Sequence, residues 1–129
     1  MENSEIYTQA ISLSTAANLY DLSMLEEMDD TEYLLEVLTI FLRDTGLELK
    51  EMTAALNAGD TVIIAKKAHK IKGSAGIIQA GELCNLLDRI EKIAKTGTVD
   101  DTIKNLVENT LSLYNMIEQT LKKHIPELK

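Results

Sequence analysis

The sequence predicts an all-α protein, an antiparallel up-and-down four-helix bundle with a short N-terminal helical extension. Three observations carry this. Four long segments repeat apolar residues at helical spacing. Gly, Asp and Pro stand between them where helices stop and start. The 129 residues are 45% apolar yet include one Pro, one Phe and no Trp, a mixture that suits helices better than sheets. The length suits a single domain over residues 1–129, with a core that needs no staple.

The elements follow in chain order. Residues 1–20 read as an N-terminal arm or a short helix, with Thr8 to Asn18 its ambiguous stretch. Asp21 is placed to cap a short helix through Met28, with Leu22, Leu25 and Met28 on one face. Asp30 or Thr31 caps the first long helix. Its stripe is Leu34, Val37, Leu38, Phe41, Leu49, Met52 and Leu56, and Gly46 interrupts it as a kink or a local cost. Gly59 ends this helix and Asp60 caps the next. The second long helix runs from Thr61 to about Gln79, on Ile64, Ala68, Ile71, Ala75 and Ile78. The third starts near Gly81 and carries Leu83, Leu86, Leu87, Ile90 and Ile93 to a stop at Thr96-Gly97-Thr98. Asp100 or Asp101 caps the last, which turns Ile103, Leu106, Val107, Thr110, Leu113, Tyr114, Ile117 and Leu121 inward until Pro126. Short connections between such helices make antiparallel neighbours.

Charge and composition narrow the function. A formal net charge of -8 opposes nucleic acid and anionic membrane as partners and leaves a protein partner as the expectation. The first residues lack the apolar run of a signal peptide, and no stretch is long enough to span a bilayer. Cys84 is alone among leucines and reads as a small buried hydrophobe, compatible with a reducing cytoplasm. The five Met residues read as core fillers. Glu26, Glu27, Asp29 and Asp30 lack the spacing of a calcium loop and read as a solvated, capped helix end. No Glu-x-x-His pair suggests a di-iron bundle, and no glycine-rich loop suggests a nucleotide site. His124, in the last turn of the final helix, reads as a structural cation at the dipole's negative end.

The run Ala68-His69-Lys70-Ile71-Lys72-Gly73-Ser74-Ala75-Gly76 stands apart. Two glycines sit inside a helix, each at a cost of roughly 1 kcal/mol relative to alanine. At about 100° per residue, His69 falls about 140° from the middle of the core stripe, and Gly73 and Gly76 share its side. Lys72 and Gly73 are its surface neighbours three and four residues on. A neutral imidazole is a nucleophile able to carry a covalent group. Lys72 supplies charge for a phosphoryl group, and a glycine at 73 removes a side chain that would crowd the ring. Lys66 and Lys67 read as a solvated face, and Gly76 also suits close helix packing.

The segment His69-Lys70-Ile71-Lys72-Gly73-Ser74-Ala75, with Ile78 and Ala80 downstream, resembles the signature of histidine-containing phosphotransfer (HPt) domains. It departs at Gln79, where that family often has glycine. The resemblance implies a four-helix bundle and a phosphoryl carrier of a two-component His–Asp phosphorelay. On it, His69 is the phosphoacceptor, Lys72 steadies the phosphoryl group, and Gly73 gives access. Val62, Lys70 and Gly76 lie at the partner surface, with Val62 exposed. The implied partners are response-regulator receiver domains and, as a further one, a hybrid sensor histidine kinase. Mg²⁺ and most of the catalytic machinery belong to the receiver, with no intrinsic cofactor, in a cytoplasmic monomer. The competing reading is a non-catalytic helical adaptor that binds a partner through the His69 face.

Overall fold

A computed structural model describes residues 19–128. The ambiguous stretch from Thr8 to Asn18 lies outside them. Five helices follow: α1 Ser23–Glu26, α2 Thr31–Ala58, α3 Thr61–Ile77, α4 Gly81–Lys95 and α5 Asp101–His124. α2 packs on α3, α3 on α4, α4 on α5, and α5 returns to α2, so the four long helices close a ring around one core. All eight α5 residues expected inside are buried.

The caps are largely where the sequence puts them. The carboxylates of Asp30, Asp60 and Asp100 accept the backbone N–H groups of Tyr33, Ile63 and Ile103, satisfying donors that a helix start leaves free. Gly59 ends α2 at φ 72°, and Asp60 N–H donates to the Ala55 carbonyl. The end of α3 repeats that geometry with a poorer residue. Gln79 stands at φ 51°, its N–H donates to the Gly76 carbonyl, and Ala80 N–H donates to that of Ala75. The helix therefore stops at Ile77, two residues short of the expected Gln79, while Ile78 still buries fully. A left-handed conformation is costly for any residue with a Cβ. Gln79→Gly should accordingly stabilise the fold by about 0.5–1 kcal/mol, offset in part by glycine's greater freedom in the unfolded chain. A higher thermal midpoint checks this.

Several expectations need correction. α1 ends at Glu26, and the Asp21 carboxylate binds the Ser23 N–H and hydroxyl, bending the chain just before the helix. Met28 therefore lies beyond α1, next to Asp29 at φ 54°, and is exposed. Met24 and Met116 are exposed too, on outward helix positions, so among these methionines Met52 alone is a core filler. Gly46 does not break α2. A Cβ there would meet the Tyr114 hydroxyl at 3.3 Å, and that hydroxyl donates to the Leu42 carbonyl at 2.7 Å. Glycine lets α5 come that close. Cys84 is half-buried, and burial pushes its thiol pKa up, which leaves it a poor nucleophile. Lys67 is not simply solvated: it ties α3 to α2 through Glu48 and Glu51 at 2.9 and 2.6 Å.

The two ends of the described chain meet. Tyr20 is buried, with its ring stacked on His124 and its hydroxyl 3.3 Å from Nδ1. Burial raises the Tyr20 pKa to about 12. His124 thus has a packing partner as well as a favourable place at the helix end. Residue 20 belongs to the core and not to a free arm.

Candidate functional site

α3 turns one side to the core through Ile64, Ala68, Ile71 and Ala75. The opposite side carries the outward residues. The His69 side chain is 71% exposed, and Val62, Lys70, Gly73 and Gly76 are exposed with it. Among the described residues a Cβ built on Gly73 or Gly76 meets nothing within 4 Å, so neither glycine serves packing between the described helices. Ile77 adds a large exposed apolar side chain to the same end of the helix.

His69 is exposed but not loose. Its Nδ1 lies 3.1 Å from Glu91 Oε2 on the adjacent helix α4. Glu91 occupies a core-facing position between Leu87 and Ala94, and only 8% of its side chain is exposed. A carboxylate that buried needs cations. Lys72 Nζ reaches Oε1 at 3.0 Å from α3, and Lys95 Nζ reaches Oε2 at 3.0 Å from the next turn of α4. Hydrogen bonds from Lys72, then Lys95, hold the Glu91 pKa down at about 2. Lys72 also donates to Asp88 Oδ1 at 2.9 Å. Asp88 is likewise held down at about 2, by Lys92 first and then Lys72. The two carboxylates, Asp88 foremost, raise the Lys72 pKa in return.

Glu91 is the residue that sequence reasoning misses. One signal marks it: an acid four residues after Leu87 on an apolar stripe, with Lys95 four residues further on. It joins His69 to Lys72, so two of the expected site residues share one carboxylate. Lys70 goes elsewhere. Its Nζ lies 2.7 Å from Glu48 Oε2 on α2, a carboxylate lowered in pKa by Lys70 first and then Lys67.

The arrangement defines which ring nitrogen is left free. An ionised carboxylate only accepts hydrogen bonds, so the imidazole that satisfies Glu91 carries its proton on Nδ1. The lone pair is then on Nε2. Among the described residues no group of three or more His, Cys, Asp or Glu could hold a metal ion.

This network makes stability depend on acid. The Glu91 and Asp88 pKa values lie below their ordinary 4.5 and 3.8, so their contribution is complete above those values. It is lost as pH falls from there toward about 2. Glu91→Gln should therefore be less stable than the parent at neutral pH and should lose less on acidification. Urea melts of both proteins at neutral and acid pH check this; parallel losses would contradict it.

The bundle has a counterpart among solved structures. It superposes on histidine-containing phosphotransfer protein B (HptB) from Pseudomonas aeruginosa PAO1 with a TM-score of 0.78 and 24% identity, covering 86% of this chain and 97% of that one. That likeness speaks to the fold. No curated protein sequence matches the chain. The Hpt domain family model matches residues 36–125, a span containing His69, Lys72 and Glu91. The chain belongs to the Hpt domain family and is a histidine phosphotransfer protein.

Proposed function

We propose that this chain carries phosphoryl groups between receiver-domain aspartates, with His69 Nε2 as the acceptor atom. The observation that supports it most is an exposed imidazole held at Nδ1 by an ionised carboxylate, beside a helix face left bare at Gly73. In the forward step Nε2 attacks the phosphorus of an aspartyl phosphate. The P–N bond forms as the P–O bond breaks, and the aspartate leaves as a carboxylate. The ring then bears positive charge because Nδ1 keeps its proton, and Glu91 stabilises that charge. The same charge makes the imidazole a good leaving group, so the phosphoryl group passes on when a second aspartate attacks.

Lys72 fixes Glu91 and Asp88 and adds positive charge to the site. The receiver supplies Mg²⁺, a hybrid sensor histidine kinase is one donor, and the chain acts as a cytoplasmic monomer and single domain. Receivers dock over His69 on the face marked by Val62, Lys70, Gly73 and Gly76, with Ile77 extending its apolar part. No helix among the described residues is long and apolar enough to cross a membrane. The test is transfer from a panel of phosphorylated receiver domains. Acid-labile, base-stable label on this chain supports the reading. No label from any receiver refutes it and favours the adaptor.

A further inference from the structure

A phosphoryl group adds about -1.5 to -2 charge at neutral pH. If His69 accepts one, as proposed above, that charge arrives beside Glu91 and Asp88, both ionised. The charged side chains near the ring are Lys66, Lys70 and Lys72 on α3, and Asp88, Glu91, Lys92 and Lys95 on α4. Their present bonds decide which can move. Lys70 is paired with Glu48 and Lys92 with Asp88. Lys72 bridges two carboxylates, and withdrawing it would strip buried Glu91 of its one Oε1 partner among the described residues.

Lys95 differs. It shares Glu91 Oε2 with His69 Nδ1, and its side chain is 66% exposed. If it leaves, Glu91 keeps both Lys72 and the imidazole N–H. Lys66 makes no ion pair among the described residues. Both lysines line a cavity of about 310 Å³ together with Ala65, His69 and Glu91. It lies on the side of the ring toward the start of α3, away from Gly73.

We propose that Lys66 and Lys95 bind the phosphoryl oxygens of phosphorylated His69 across this cavity, Lys95 leaving Glu91 to do so. Lys72 remains the scaffold of the carboxylates. The loaded state is thereby clamped by one lysine from each helix, and the Gly73 side stays open to the partner.

The test is a ³¹P NMR titration of the full chain phosphorylated with phosphoramidate, from mildly acidic to alkaline pH. Nearby cations favour the dianionic phosphoryl group. Lys95→Gln and Lys66→Gln should each raise its protonation midpoint by about half a unit, a value discounted for solvent exposure. Lys95→Arg should keep the parent midpoint. Lys50→Gln, in the groove between α2 and α5, changes the net charge equally and should leave the midpoint unmoved. Superimposable curves for the parent, Lys95→Gln and Lys66→Gln would overturn the clamp while leaving His69 as acceptor. Absence of any phosphohistidine signal in the parent would overturn the acceptor assignment, and the clamp with it.

Discussion

His69→Gln should abolish acid-labile label from phosphorylated receivers while leaving the fold and the receiver's affinity nearly unchanged. The loss is complete because an amide nitrogen has no lone pair available for attack on phosphorus. The fold survives because the side chain is 71% exposed and its contact with buried Glu91 is a single hydrogen bond. A glutamine amide still donates to Glu91, so the buried carboxylate keeps a neutral partner in place of the imidazole N–H. Stability should stay within about 0.5 kcal/mol of the parent. Transfer of radiolabel and a binding titration, run on both proteins, separate chemistry from docking. The chain has two histidines, so undiminished label on the variant would point to His124. That residue is stacked on buried Tyr20 at the far end of α5, where an aspartyl phosphate has little access.

What the sequence reveals and what it hides divide along a physical line. Features set by one helix and its ends are legible: the α5 stripe, the caps at Asp30, Asp60 and Asp100, the left-handed stop at Gly59, and the outward direction of His69. Each depends on a period of 3.6 residues or on local backbone chemistry. Features that need two helices in register are not. That Glu91 lies opposite His69, that Lys67 reaches Glu48, and that Gly46 admits Tyr114 all depend on how far one helix slides along another. Periodicity carries no such offset. The early end of α3 at Ile77, before the left-handed turn at Gln79, is a third kind of case. No glycine announces the left-handed turn, which the packing of Ile78 and Ala80 imposes on a residue that does not favour it.

Gly73→Leu should move stability and transfer in opposite directions. Glycine inside a helix costs close to 1 kcal/mol, and leucine recovers most of it. Among the described residues nothing lies within 4 Å of a Cβ built at 73. The thermal midpoint should therefore rise by a few degrees. A helical side chain leans toward the N-terminus and covers the turn before its own Cα. For residue 73 that is the turn carrying His69 and Lys70, so leucine stands between the imidazole and an approaching aspartyl phosphate. In-line attack tolerates little displacement, and a misplacement of about 1 Å can cost 10²-fold in rate. Transfer from receivers should fall by at least that factor. Phosphoramidate, a far smaller donor, should still label His69 at a rate within about tenfold of the parent, because a single side chain obstructs a small donor less than a protein surface. Stopped-flow transfer and a thermal melt on one preparation test both halves. Unimpaired transfer in a stabilised protein would leave the glycine without a use. The helix itself gains nothing from it, so its place there is best explained by a partner that must come close.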